Sequence, residues 1–209
     1  MSEEDKLTGH SALIAGACGD IGREVAKLLA AEGCMLHLAD TDEVGLGGMA
    51  DDLYDVHELE VEIYFSDLSD SINCAALAME ADEVSILVNA FGSIPTGDFL
   101  SLEADDWQEG FERRVFGAIN LSREVLESMQ DLQSGIIVNV GGRINDAEEL
   151  SHQLCIQTAN AAIQAFSENL DKQTKREGIR VLTFLPENDM EPQEQATALT
   201  RLIFSKLSS

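Results

Sequence analysis

Two kinds of segment alternate along the chain. Short apolar runs, rich in β-branched residues, are separated by stretches in which apolar residues recur three or four positions apart. The first kind is typical of strands buried on both faces, and the second is typical of helices with one apolar face. The six apolar runs cover residues 10–17, 34–40, 61–67, 84–92, 135–142 and 179–186.

The stretches between the runs predict helices. The first follows residue 22 and stops at Gly33, and the longest covers 103–130. A third helix is predicted at 158–177, directly before a glycine, and a last one at about 193–207. A glycine just past the last apolar position is a common helix stop, because it adopts the left-handed conformation without strain.

Strict alternation of strand and helix predicts a parallel sheet with helices on both faces. Six strands fit the doubly wound Rossmann-type α/β fold with strand order 3-2-1-4-5-6 and right-handed crossovers. The chain contains no linker-like stretch, repeat or low-complexity tract. We therefore predict one domain over residues 1–209.

The composition is ordinary except for its charge. Asp and Glu number 39 against 13 Lys and Arg, so the formal net charge is −26. An acidic surface repels phosphate backbones and anionic lipid, which argues against nucleic acid and membrane partners. The acidity has two interpretations: a strongly solvated surface, or adaptation to high salt, where counterions screen the repulsion.

The four cysteines and the chain start bear on the compartment. No two cysteines have C-x-x-C spacing and no histidine lies at ligand spacing from one, so we expect no metal site. Reduced, apolar cysteines are typical of a cytoplasmic protein. The first ten residues are acidic and polar, unlike a secretory signal, and no apolar run approaches the roughly 18 residues of a membrane span.

The first apolar run leads directly into a glycine-rich turn followed by a helix. Gly16 would allow the tight turn, Gly19 would let the backbone approach a pyrophosphate, and Gly22 would let helix and strand pack closely. The helix N-terminus, which includes Ile21, supplies amide donors and positive potential. The turn predicts a nucleotide site, and the alternative is a tight turn with no ligand.

Asp40 ends the second apolar run, 18 positions after Gly22. A carboxylate there can accept hydrogen bonds from an adenosine ribose and would repel a 2′-phosphate. We therefore expect NAD(H) rather than NADP(H) as the cofactor. Asp20 places a second carboxylate inside the glycine turn, close to where a phosphate would sit, so weak or lost binding is the alternative.

These features, taken together, resemble a short-chain dehydrogenase/reductase over about residues 8–205. The glycines have G-x-x-G-x-x-G spacing, and residues 105–129 match the family's long fourth helix in register. Asp67 and Leu68 resemble the pair that contacts the adenine ring, and residues 88–92 resemble the family's N-N-A-G segment. The cofactor-binding residues implied by the resemblance are Gly16, Gly19, Ile21, Gly22, Asp40, Asp67, Leu68, Asn89, Ala90 and Gly92.

The family's catalytic residues do not carry over. The resemblance implies a general-acid Tyr and a Lys on the fifth helix, a Ser after the fifth strand and an Asn in the fourth helix. The chain has Ile156, Asn160, Gly142 and Arg114 at those positions, in that order. Isoleucine cannot donate a proton and asparagine does not titrate. Both tyrosines precede the fourth strand, so we predict a catalytically divergent member.

The C-terminal part also departs from the family. The resemblance implies a substrate-covering segment and a seventh strand after Pro186, and neither is recognisable, so the domain is expected to be shortened. A site without a cover excludes water poorly, which again argues against hydride transfer. The predicted helices at 103–130 and 158–177 remain able to pair two subunits. We expect a homodimer, or a hetero-oligomer with a homologue.

A small cationic pocket is a further candidate site. Arg114, Arg143 and His152 would come together near the former catalytic positions, with His152 on the same helical face as Ile156 if the helix begins that early. Arginine suits carboxylate or phosphate recognition, which implies a small anionic ligand, and histidine titrates near neutral pH. The alternative is ordinary ion pairing with neighbouring acids.

Three functional hypotheses follow. The leading one is a non-catalytic, NAD-binding protein with a regulatory or assembly role. The second is an enzyme with other chemistry at the Arg/His pocket, either of lyase or isomerase type or an unusual NAD-dependent oxidoreductase. The third is a structural partner that binds no nucleotide.

Overall fold

The computed structural model describes residues 7–144, 152–187 and 189–207. Six parallel strands form one sheet in the order β3-β2-β1-β4-β5-β6, which confirms the predicted Rossmann-type fold. The strands are β1 Ser11–Ala15, β2 Met35–Asp40, β3 Glu62–Phe65, β4 Ile86–Asn89, β5 Gly135–Val140 and β6 Ile179–Phe184. The α-helices are α1 Asp20–Ala30, α2 Glu43–His57, α3 Ser71–Glu80, α4 Ala104–Phe111, α5 Gly117–Leu132, α6 Leu154–Thr174 and α7 Pro192–Leu207.

Most strands are shorter than the apolar runs that predicted them. The run at 84–92 contains only the four paired residues of β4, and the run at 10–17 contains the five of β1. Ala17 is fully buried although it follows the strand, and its backbone N–H donates to the Ala39 carbonyl of β2 at 3.2 Å. Residues next to a strand can be buried without belonging to it. The apolar runs are therefore longer than the strands.

Two predicted helices differ in detail from the structure. The helix at 103–130 consists of α4 and α5 joined without a break by one π-helical turn, Glu112–Phe116. Such turns insert one extra residue per turn and are frequent at functional sites. The helix at 158–177 begins earlier, at Leu154, and ends in a short 3₁₀ turn after Thr174.

The helices cover both faces of the sheet, as predicted. Alternate residues of β1 point to opposite faces, so Ile14 packs with α1, α2 and α7 while Leu13 packs with α3 and α5. The strand order reverses between β1 and β4. In open α/β sheets the crevice at the carboxyl ends of the strands beside such a reversal is where ligands bind.

The described residues also bear on membrane, metal and disulfide predictions. Within 7–144, 152–187 and 189–207, no helix is long and apolar enough to cross a membrane. In the same part of the chain no three His, Cys, Asp or Glu side chains are grouped to hold a metal ion. All four cysteines are free thiols, and three of them are buried. Among the described residues, no strand follows β6. The predicted absence of a substrate-covering segment stays a prediction.

Candidate functional site

A cleft of about 650 Å³ opens beside the strand reversal, at the carboxyl ends of β1, β2, β3 and β4. Four loops and one helix turn line it, which brings together residues far apart in the sequence. The lining residues are Gly16, Cys18, Gly19, Ala39, Asp40, Thr41, Ser66, Asp67, Leu68, Ser69, Ala90, Phe91, Gly92, Ser93 and Arg113.

The three glycines after β1 have different physical roles. Gly16 has φ +85°, and a Cβ there would lie 2.7 Å from the carbonyl carbon of Ala90. A Cβ on Gly22 would collide with the carbonyl oxygen of Gly16. Gly19 is open by comparison, since its Cβ would meet only the Gly16 oxygen, at 3.4 Å. Gly16 and Gly22 therefore shape the turn, and Gly19 leaves room for a ligand to approach the backbone.

Asp40 connects the end of β2 to the glycine turn. Its Oδ2 accepts a hydrogen bond from the Cys18 backbone N–H at 2.9 Å, and its Oδ1 accepts from the Thr41 N–H at 2.8 Å and the Asp42 N–H at 3.2 Å. A carboxylate has about four acceptor positions, so these three bonds leave about one, on Oδ2, and Asp40 lines the cleft. Asp42 adds a second exposed carboxylate directly beside it.

Asp67 and Arg113 face each other across the cleft. The Ser69 hydroxyl and backbone N–H both donate to Asp67 Oδ1, at 2.7 and 3.0 Å, and hold the pKa of the Asp67 carboxyl below its usual value. Arg113 donates to the Ser93 hydroxyl and pairs with Glu109 at 2.8 Å. Sequence reasoning missed Arg113, because an α-helical register without the π turn does not show which of two adjacent arginines faces the cleft.

Asn89, predicted to contact the cofactor, has its side chain among the buried polar residues of the core. It is 3% exposed, and its Nδ2 donates to Asn139 Oδ1 at 2.8 Å and to the Ser122 hydroxyl at 3.2 Å. Asn139 in turn donates to Ser167 at 2.9 Å. The side chain of Asn89 therefore ties β4 to β5 and to the helices beneath, inside the core, and not to the cleft.

A second cavity, of about 190 Å³, lies on the other side of Gly19. It is formed by the N-terminus of α1, the ends of β4 and β5, and the segment after β6. Ile21 lies here and not in the larger cleft. The lining residues are Gly19, Asp20, Ile21, Ala90, Arg114, Val140, Gly141, Arg143, Pro186 and Pro192.

Three of the positions at which the resemblance implies catalytic residues, Gly142, Ile156 and Asn160, pack on one another. Asn160 is 5% exposed, and its Oδ1 accepts from the Gly142 N–H at 2.8 Å while its Nδ2 donates to the Gly142 carbonyl at 2.9 Å. A Cβ on Gly142 would lie 2.9 Å from Cγ2 of Ile156, which is tighter than real Cβ contacts. Glycine at 142 therefore fits isoleucine at 156, and the amide of Asn160 is occupied by backbone.

Arg114 stands where the resemblance implies the catalytic Asn, and its side chain hydrogen-bonds to the backbone of two segments. Its Nε donates to the Gly92 carbonyl at 3.0 Å and its Nη1 donates to the Val140 carbonyl at 2.7 Å. Burial lowers the pKa of Arg114 to about 10, so the guanidinium remains charged at neutral pH. The side chain thus joins the loop after β4 to the end of β5.

The expected pocket of Arg114, Arg143 and His152 is not formed. His152 Nε2 lies 3.0 Å from Asp98 Oδ1, and the His152 backbone carbonyl accepts from the Gly97 N–H at 2.8 Å. His152 lies in a 3₁₀ turn directly before α6, which begins at Leu154, and its side chain pairs with Asp98. Of these three residues, Arg114 and Arg143 line the smaller cavity and His152 does not.

Replacing Asn160 by aspartate should lower the free energy of unfolding by about 2 kcal/mol at neutral pH. The carboxylate loses the donor to the Gly142 carbonyl and places a charge against that oxygen. Urea unfolding followed by circular dichroism measures the change. Asn169→Asp is the matched control, because Asn169 lies exposed on the same helix. Equal effects of the two changes would contradict the structural role of Asn160.

Comparison with known proteins agrees with this architecture. The sequence matches the short chain dehydrogenase family over residues 10–192. Its relatives include an uncharacterised oxidoreductase of Staphylococcus saprophyticus, 25% identical over 87% of this chain and 79% of that protein. They also include the 3-oxoacyl-[acyl-carrier-protein] reductase FabG of Vibrio cholerae, 27% identical over 92% of this chain and 81% of that protein.

Solved structures show the same fold. A short chain dehydrogenase/reductase family protein superposes with a TM-score of 0.84 at 25% identity, covering 94% of this chain and 90% of that one. A 3-oxoacyl-[acyl-carrier protein] reductase from Brucella melitensis, solved with bound NAD, has a TM-score of 0.86 at 18% identity, covering 95% and 86%. The chain belongs to the short-chain dehydrogenase/reductase family, whose members among its relatives are oxidoreductases.

Proposed function

We propose that this protein binds an adenine nucleotide but does not carry out the family's Tyr-dependent hydride transfer, and that it acts as a regulatory or assembly subunit. The observation that carries the proposal is the closed packing of Gly142, Ile156 and Asn160, where the family's Ser, Tyr and Lys are expected. A serine side chain at position 142 would collide with Ile156. The glycine at 142 and the isoleucine at 156 are therefore compatible with each other, but not with the family's serine at 142.

The chemistry of the remaining groups supports the same proposal. When bound, NAD(H) supplies the hydride acceptor or donor, but the protein must still give a proton to the substrate oxygen or take one from it. Ile156 has no proton to give, and the Arg114 guanidinium is held by two backbone carbonyls. Burial, with Asp40 and Asp42, raises the pKa of the Cys18 thiol to about 11, so it remains protonated near neutral pH.

The adenosine end of the site fits NAD(H) better than NADP(H). Asp40 keeps one acceptor position for a ribose hydroxyl, and Gly19 leaves the backbone accessible to a pyrophosphate. The carboxylates of Asp40 and Asp42 would repel a 2′-phosphate. The related solved structures include one with NADPH and one with NAD, so the preference rests on this chain's own residues.

Association and location complete the proposal. Phe116 and Leu154, on the helices expected to pair subunits, are 51% and 39% exposed, which supports a homodimer or a pair with a homologue. The free thiols support a cytoplasmic location. The net charge of −26 supports a protein without nucleic acid or membrane partners, and one adapted to high salt.

Purified protein should bind NADH more tightly than NADPH and turn over neither. Binding is measured by the change in NADH fluorescence, at about 0.1 and about 1 M salt, because salt screens the repulsion between a charge of −26 and an anionic ligand. Turnover is measured by NADH absorbance with a panel of aldehydes and ketones, beside a Tyr-containing family member. Turnover of the order of 1 s⁻¹ or faster would overturn the proposal.

The alternative of lyase- or isomerase-type chemistry has less support. It requires an acid or base beside the arginines, and His152 is held at Asp98 instead. Among the described residues that line the smaller cavity, Asp20 is the one carboxylate, and its charged neighbours are Arg114 and Arg143. That alternative requires that His152→Ala abolish activity. The structural-partner hypothesis would be favoured if no adenine nucleotide binds.

A further inference from the structure

Two arginines and the N-terminus of α1 converge on the smaller cavity. Arg114 and Arg143 line it together with Gly19, the N-cap of α1, and Ile21 in the first turn of that helix. We propose that the site prefers an adenine nucleotide that ends in a phosphate, of the ADP class, over NAD⁺, with the distal phosphate in this cavity. The inference rests on the proposed nucleotide binding and names the ligand class for that same site.

The two halves of a dinucleotide meet unequal surroundings. The adenosine half has a cleft of about 650 Å³ with an available acceptor on Asp40. The nicotinamide half would meet the closed cluster, where both polar atoms of the Asn160 amide are bonded to Gly142 and Ile156 is apolar. Asn160 is the one polar side chain of that cluster, and it is buried and held by the Gly142 backbone, which disfavours a contact with a second ribose.

Charge in the smaller cavity distinguishes the two ligands. The nicotinamide ring of NAD⁺ is cationic, so two guanidinium groups beside it oppose binding, whereas they attract a phosphate. The three hydrogen bonds that Arg114 makes to backbone carbonyls use three of its five N–H groups. Arg143 is exposed, with Nη2 bonded to the Met190 carbonyl. Asp20 lines the same cavity and opposes the anion, so the arginines exceed it by one charge.

The π-helical turn distributes positive charge to both cavities. Arg113 lines the larger cleft and Arg114 lines the smaller one, although they are adjacent in sequence. The loop after β4 separates the two cavities, and within it Gly92 packs against the Arg113 carbonyl. A ligand with two linked phosphates, extending from the cleft past Gly19, would have an arginine near each end of its charged part.

The test uses isothermal titration calorimetry on the full chain with ADP, AMP and NAD⁺ in one buffer. ADP should bind about tenfold more tightly than either AMP or NAD⁺, a gain of the size expected for one charge-assisted pair. Overall repulsion by a charge of −26 acts against the more anionic ligand, so a preference for ADP must come from local groups. Arg143→Gln should lower ADP affinity about tenfold and leave AMP affinity unchanged.

Arg123→Gln is the matched control, because Arg123 is an exposed arginine on α5 that pairs with Glu124 and lines neither cavity. It should leave all three affinities unchanged. NAD⁺ binding as tightly as ADP, or an ADP preference that survives Arg143→Gln, would overturn the inference while leaving nucleotide binding intact. If none of the three ligands binds, the proposed function fails, and the inference fails with it.

Discussion

Replacing Gly22 by alanine should lower the free energy of unfolding by at least about 3 kcal/mol. The added Cβ would collide with the carbonyl oxygen of Gly16, and neither atom belongs to a flexible side chain. The glycine turn and α1 would have to move apart, although Gly16, Ala17 and the inner face of α1 are buried. Urea unfolding followed by circular dichroism measures the loss, and nucleotide binding should weaken with it.

Gly48→Ala provides the control for this change. Gly48 lies in α2 with nothing within 4 Å of the added Cβ, so alanine should stabilise the protein by about 0.5–1 kcal/mol through helix propensity. Opposite signs at the two glycines would identify steric contact as the cause at Gly22. A Gly22→Ala protein as stable as the parent would show that helix and turn do not approach as closely as described.

Replacing Arg114 by methionine should destabilise the protein by about 3 kcal/mol. The change removes the hydrogen bonds to the Gly92 and Val140 carbonyls. Both acceptors, which lie at the carboxyl ends of the strands, then lose the charged donor that they share. Methionine keeps much of the side-chain length, so the loss reports mainly the hydrogen bonds. Thermal and urea unfolding, each followed by circular dichroism, measure it.

Arg113→Met is the matched control, on the adjacent residue of the same π-helical turn. Arg113 is exposed and pairs with Glu109 at the surface, so its replacement should cost less than about 1 kcal/mol. Similar losses at the two positions would contradict the bracing role of Arg114. Comparing the two variants therefore distinguishes the structural guanidinium of Arg114 from the cleft-facing guanidinium of Arg113.

The alternation of apolar runs and amphipathic stretches determined the fold class. Its period distinguishes a strand buried on both faces from a helix buried on one face, and six such runs sufficed for the strand order. Strand ends were less well determined, because residues such as Ala17 are buried although they lie beyond the last residue of the strand. The π-helical turn left no mark in the apolar pattern, since one extra residue in a helix of this length shifts the register only locally.

The sequence by itself also determined the roles of Gly16 and Gly22 in the turn, and it contains no tyrosine after Tyr64. Only the tertiary structure decided where polar side chains point. Asn89 turned into the core, and His152 paired with Asp98 instead of joining the arginines. The physical reason is that a hydrogen bond or ion pair depends on a partner distant in the chain, whereas burial and turn geometry depend largely on neighbours in sequence.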